Sequence, residues 1–387
     1  MKTLLAFYLA AIVVVSNPVP NAAQTTTAQN AGPQNTKEIE AFLDHVLQQD
    51  SAAFSAAAFV MVKDSTILFQ KGYGYSDREK QQPVVPDQTV FYAASISKLF
   101  VATAVMQLVE SGRLRLDEDL NHYLKKFQVV SPYPQPVTMA QLLTHTGGID
   151  ERWLGALARP NTPVPALEDY FTQHPPRCAT PPGEQINYSN HGMALAGYIV
   201  EAVSGKHFDE YVEQKIFQPL GMLHSSFRQP LPAALAADLP NEAPTIIPYP
   251  AGSLTMTTTD MAAFMIAQLN GGRLGNQRIL QEATISEMHR QHFSPHPQIP
   301  GVAYGFFESI ANGRRALYHT GDRGHHALLY LLPNEHVGFY FVCIAPEEKG
   351  IALREKLTQA FLDHYYPAKE KFVLPPPPAD FQQRAQR

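Results

Sequence analysis

Residues 95–112 read SISKLFVATAVMQLVESG. From Ser95 the apolar positions recur with helical spacing as far as Glu110, and Gly112 is a helix stop. The pattern predicts a strongly apolar helix in which Lys98, set among Leu99, Val101 and Ala102, is partly buried. Upstream, residues 37–49 carry Ile39, Phe42, Leu43 and Val46 on one helical face. Residues 58–63 and 66–71 then resemble a hairpin turning at Asp64-Ser65. Downstream, residues 304–309, 314–319, 326–332 and 337–344 are strand-like runs bounded by Gly, Asn or Pro, and 352–364 reads as a closing helix. Between them, helical segments alternate with Pro-rich loops at 159–165, 174–182 and 230–250, loops of the kind that cover a site. Strands at both ends with helices between predict an α+β fold. One antiparallel sheet, flanked by helices, is built from both chain ends, and a mostly helical domain at about 99–272 is inserted into it.

Of the 387 residues, 45% are hydrophobic and 17% charged, a composition suited to a packed core. The formal net charge is -5 and no Lys/Arg run stands out, which predicts neither a nucleic-acid partner nor a membrane-surface patch. Lys2 precedes an apolar run at 4–15 that is short for a bilayer span, and Ala22 and Ala23 offer cleavage positions. Residues 1–23 are therefore expected to be a secretory signal, and the protein exported to a periplasmic or extracellular space; an uncleaved anchor is the alternative. Residues 24–36 read as a flexible tether and 37–366 as the folded domain. Residues 367–387, with four prolines at 375–378, read as a tail that links onward or marks the cut end of a longer chain. A membrane is a partner only through an uncleaved signal or such an extension. Cys178 and Cys343 are expected to be unpaired structural cysteines, although a disulfide between them is open.

Three short motifs carry chemistry. In Ser95-Ile96-Ser97-Lys98 the first and last residues share a helix face, which gives a hydroxyl a base within reach and a helix N-terminus beside a developing oxyanion. The lysine can serve only when neutral, so burial must lower its pKa. Alone the motif is weak: S-x-x-K arises by chance about once in a chain this long, and a cap with a snorkelling lysine is the bland reading. In Tyr188-Ser189-Asn190, the tyrosine can relay a proton and Asn190 can hold the lysine and a substrate amide together. Asn187-Tyr188-Ser189 also fits a glycosylation sequon, read here as coincidence. In His319-Thr320-Gly321, Gly321 allows close backbone approach, the N–H of Asp322 is a second oxyanion donor, and Thr320 with a protonated His319 suits a substrate carboxylate.

In this order the three motifs resemble the serine β-lactamase and penicillin-binding-protein superfamily, whose pattern runs S-x-x-K, a polar motif, then K-T-G. Tyr-x-Asn followed by His-Thr-Gly resembles its branch of class C β-lactamases, DD-carboxypeptidases, D-aminopeptidases and esterases. Leu142-Leu143-Thr144-His145-Thr146, Pro182-Gly183, Pro219-Leu220-Gly221-Met222 and Ala251-Gly252-Ser253-Leu254 are similar to segments of that branch, and the resemblance covers about residues 36–366. It implies a β-lactamase/transpeptidase-like fold and a cofactor-free acyl-enzyme mechanism. Ser95 would be the nucleophile, Lys98 its base and Tyr188 the relay, with Asn190, His319, Thr320 and the Asp322 N–H holding substrate.

Class C enzymes usually carry lysine where His319 stands, and Asp322-Arg323-Gly324-His325-His326 is unlike their segment. The expected substrate is thus a small ester or amide, as for an esterase or D-amino-acid peptidase. A β-lactamase or DD-carboxypeptidase is the alternative, and a non-catalytic penicillin-binding scaffold the alternative of another class. His319, His325 and His326 need not converge on a strand-turn-strand and no H-E-x-x-H is present, so no metal is expected. No G-x-S-x-G or G-x-G-x-x-G points to an α/β-hydrolase or a nucleotide site.

Overall fold

A computed structural model describes residues 32–368, apart from positions 78, 237, 238, 240–242 and 298. The expected signal at 1–23, most of the tether and nearly all of the Pro-rich tail lie outside the described residues. Seven strands form one antiparallel sheet: β1 (Ala56–Lys63), β2 (Thr66–Asp77), β3 (Gln82–Pro83), β4 (Phe307–Ala311), β5 (Arg314–Asp322), β6 (His325–Leu332) and β7 (Val337–Ile344). Their spatial order is β4-β5-β6-β7-β1-β2-β3, so β1 joins the two halves of the sequence. It pairs with β7 from Ala56↔Ile344 to Lys63↔Val337, and with β2 through the Asp64-Ser65 turn, whose residues both take positive φ.

The centre of the sheet is buried on both faces, which is why its strands read as continuous apolar runs. Along β1, Ala56, Ala58, Val60 and Val62 enter one core while Ala57, Phe59 and Met61 enter the other, the two-residue period of a pleated strand. The second core is closed by α1 (Thr36–Gln48) through Ile39 and Leu43, and by a C-terminal helix at Glu347–Tyr365 through Leu353, Leu357 and Phe361. The first holds α2 (Ser97–Glu110), α3 (Asn190–Ser204) and α4 (Thr258–Leu269). The C-terminal helix is accordingly α5. Phe100 of α2 stacks on Phe264 of α4 at 4.2 Å between ring centroids. Truncating so buried a ring costs about 3–5 kcal/mol. This is the expected α+β arrangement. Its mostly helical stretch lies between β3 and β4 in sequence, and α4 packs directly on β1 and β7.

Candidate active site

The chain reaches α2 through a 3₁₀ turn, Ala94–Ile96, in which Ala94 takes φ +48°. A left-handed conformation is strained for alanine, and this one is held by its surroundings. Ala93 N–H donates to the Leu254 carbonyl at 2.8 Å, and Leu254 N–H donates to Ser97 Oγ at 3.1 Å. Gly321 of β5 seals the other side: a Cβ there would lie 2.2 Å from the Ala93 carbonyl oxygen, so only glycine allows the strand this close. The turn leaves Ser95 partly exposed at a cleft of about 400 Å³.

Lys98 has no solvent exposure. Its Nζ lies 2.9 Å from Ser95 Oγ, 2.7 Å from Asn190 Oδ1 and 2.7 Å from the Ala251 carbonyl oxygen. Burial lowers its pKa to about 7, against an opposing pull from the Glu151 carboxylate. Asn190 is the first residue of α3, capped by Ser189, whose side chain accepts from Gly192 N–H at 2.9 Å. Glu151 accepts from both the backbone N–H and the side-chain amide of Asn190, which fixes the amide with its oxygen toward Lys98.

Tyr188 stands immediately before that cap, its ring centroid 4.9 Å from Lys98 Nζ. Burial raises its hydroxyl above the usual range, and a hydrogen bond with Ser95 works against the rise. The Leu142-to-Thr146 segment holds the tyrosine loop in place. His145 Nδ1 accepts from Ser189 N–H at 3.2 Å, the His145 carbonyl accepts from Asn187 N–H at 2.7 Å, and the His145 and Tyr188 rings are 4.4 Å apart.

The third motif departs from expectation. His319 is buried among Tyr188 and Phe307, with Nδ1 2.7 Å from the Thr320 carbonyl oxygen and Nε2 without a partner. Burial, aided by the Lys98 charge, lowers its pKa to about 3, so it is neutral and is no protonated carboxylate anchor. Neither His319 nor Thr320 lines the cleft; Asp322 does, with its carboxylate held by His326 at 2.7 Å and Arg354 at 2.9 Å. His325 instead accepts from Tyr92 N–H at 3.0 Å, so the three histidines have separate partners. No group of His, Cys, Asp or Glu suited to a metal ion occurs among the described residues. Cys178 and Cys343 are buried and unpaired.

The sequence reading missed Glu151, Arg323 and the Ala251 carbonyl as site groups. Ala251 stood in a quoted segment, but no side-chain signal marks a carbonyl. Arg323, at the tip of the β5–β6 hairpin, lines the cleft with its guanidinium 4.2 Å over the Tyr92 ring. It donates to the Pro244 carbonyl, has no carboxylate partner among the described residues, and keeps Nε and Nη1 buried without partners. Burial lowers its pKa only to about 10, so it stays charged at neutral pH.

Comparison with known proteins agrees with this architecture. The chain is 32% identical over 231 residues to the Bacillus subtilis protein PbpX, a stretch covering 56% of each, so the match spans little more than half of that relative. A penicillin-binding protein from Bacillus halodurans superposes with a TM-score of 0.64 at 27% identity, over 81% of this chain and 98% of that one. A β-lactamase/D-alanine carboxypeptidase from Yersinia pestis superposes with a TM-score of 0.73 at 18% identity, over 85% and 98% of the two chains, a likeness of fold. The family model described as Beta-lactamase matches residues 40–358, from within α1 to within α5, and the chain belongs to that family.

Proposed function

We propose that the chain is an exported serine hydrolase of the esterase or D-amino-acid peptidase type, acting on small esters or amides through an acyl-enzyme on Ser95. The observation that carries this reading is the set of partners around the Lys98 amine. Asn190 Oδ1 and the Ala251 carbonyl can only accept, so a neutral amine gives them its two N–H groups and turns its lone pair toward Ser95 Oγ. A pKa of about 7 keeps enough of that neutral form near neutral pH for general-base work.

Ser95 Oγ attacks the substrate carbonyl carbon as its proton passes to Lys98, and the N–H groups of Ser95 and Asp322 hold the oxyanion. Tyr188, kept a phenol by burial, gives its proton to the departing oxygen or nitrogen and regains one from Lys98. In the second half, water loses a proton to the same relay and attacks the acyl carbon, and Ser95 Oγ departs with a proton from Lys98. Asn190 and the cleft walls orient the substrate. No step calls for a cofactor or a nucleic-acid partner. The export reading is supported by Lys2 and the apolar run at 4–15.

A β-lactamase or DD-carboxypeptidase is the second reading. It is favoured by the activity named for the Yersinia pestis neighbour and by Arg323, a cation at the cleft with no carboxylate partner among the described residues and so suited to a substrate carboxylate. Mass spectrometry after a fluorophosphonate or a labelled penicillin tests all the readings. Label on Ser95, with turnover of p-nitrophenyl esters falling at least ~10³-fold in Ser95→Ala, is the expected result. Retained turnover in a folded Ser95→Ala protein refutes the mechanism. Fast nitrocefin hydrolysis selects the β-lactamase, and a persistent acyl adduct without turnover selects the scaffold.

A further inference from the structure

Opposite the polar groups, the cleft has a wall of a different kind. Trp153 and Leu157 line it from one loop, and Pro244, Ile246 and Pro248 from another. The two loops are tied into one surface. Leu157–Ala158 pairs with Thr245–Ile246 as a short antiparallel ribbon, and Ile247 N–H donates to the Ala156 carbonyl at 2.9 Å. Ala156 N–H in turn donates to the Trp153 carbonyl at 3.0 Å. Despite this anchoring, Trp153 is 65% exposed and Leu157 51% exposed. Lone exposed apolar residues are unremarkable. Here they are contiguous with the space in front of Ser95, and the cleft's volume falls within the range of small-molecule sites.

We infer that this wall is an acyl-binding surface, and that the substrates are esters or amides of extended apolar acyl groups laid between Trp153–Leu157 and Ile246. The inference rests on the acyl-enzyme reading and names its substrate class. An acyl chain bound to Ser95 and laid along this wall meets apolar surface. Each methylene buried there raises kcat/KM about three- to fourfold until the chain outgrows the cleft.

The chain contains a single tryptophan, Trp153, so its emission reports on the wall alone. In Ser95→Ala protein, where nothing is turned over, sodium octanoate should shift that emission to the blue and shield it from acrylamide, whereas acetate should not. In wild type, kcat/KM should climb from p-nitrophenyl acetate through butyrate to hexanoate. Trp153→Ala and Leu157→Ser should flatten the climb, bringing hexanoate turnover down toward that of acetate. Leu154→Ser, at an 83% exposed position outside the cleft lining, should keep it. A flat profile in a wild-type enzyme whose Ser95 is labelled by fluorophosphonate, or emission indifferent to octanoate, overturns the inference and leaves the acyl-enzyme reading standing. Failure of the label to reach Ser95 condemns the reading itself.

Discussion

On one side of the cleft Lys98 has no contact with solvent and three oxygen atoms within 2.7–2.9 Å; on the other, Trp153 and Leu157 keep half or more of their surface in water. Both arrangements are costly to the free protein, in opposite ways. Desolvating the amine disfavours its charged form, which is the state a base must avoid. Leaving apolar side chains in water stores a hydration cost that a ligand can relieve. On the proposed reading, with Lys98 as base and the apolar wall taking the acyl group, rate and selectivity would have separate physical origins, and substitutions should separate them.

The largest separation is expected from Lys98→Arg. Arginine stays protonated, so kcat/KM should fall about 10²-fold or more while any preference among acyl chains is kept. In wild type, the rate on a neutral ester should decline as pH drops below about 7, because protonation removes the lone pair that Ser95 needs. Wild-type turnover by the arginine variant would make Lys98 an electrostatic anchor. A smaller effect, on stability, is expected from His319→Lys. The new ammonium would sit buried near Lys98, and the Asp322 carboxylate in range is already held by His326 and Arg354, a situation costing about 3–5 kcal/mol. The melting temperature should fall by several degrees, with His319→Gln much milder. A stable lysine variant with gained activity on acidic substrates would show that β5 rearranges. The smallest effect is expected from Glu151→Gln. Glu151 lines the cleft and also raises the pKa of Lys98, so losing its charge should move the acid limb of the rate profile to lower pH by up to roughly one unit. A shift toward higher pH would contradict the assigned electrostatics.

Much of the fold is legible because central strands and buried helices repeat their physics locally. The expected strand at 337–344 coincides with β7, whose residues alternate between two apolar cores. The strand expected at 304–309 begins at Phe307 instead, because Gly305 N–H is taken by the Leu143 carbonyl and Ala303 N–H by that of Phe306. β2 runs on to Asp77, past the expected 71. Its glycines disguise a strand, yet a Cβ at Gly72 would lie 2.1 Å from the Val84 carbonyl oxygen. The helix expected from Ser95 starts at Ser97, after the 3₁₀ turn. Within the site, Ser95 and Lys98 are three residues apart and announce each other. Glu151 and Ala251 meet Asn190 and Lys98 across 39 and 153 residues, and no local pattern encodes such meetings. His319 was misread because its residue type was visible and its burial was not.

The position of β1 also governs how the protein is made. Its partner on one side, β2, follows within a few residues, but on the other side Ser55 reaches Ile344 across a separation of 289 residues. At roughly 5–20 residues per second, translation leaves that edge of β1 bare for tens of seconds. The sequence AAAFVMVK, apolar and buried in the finished sheet until its last residue, is an adhesive template while it waits. The nascent chain therefore depends on shielding of this strand until β7 emerges, and synthesis halted before Val337 yields an aggregation-prone fragment in place of a weakened enzyme.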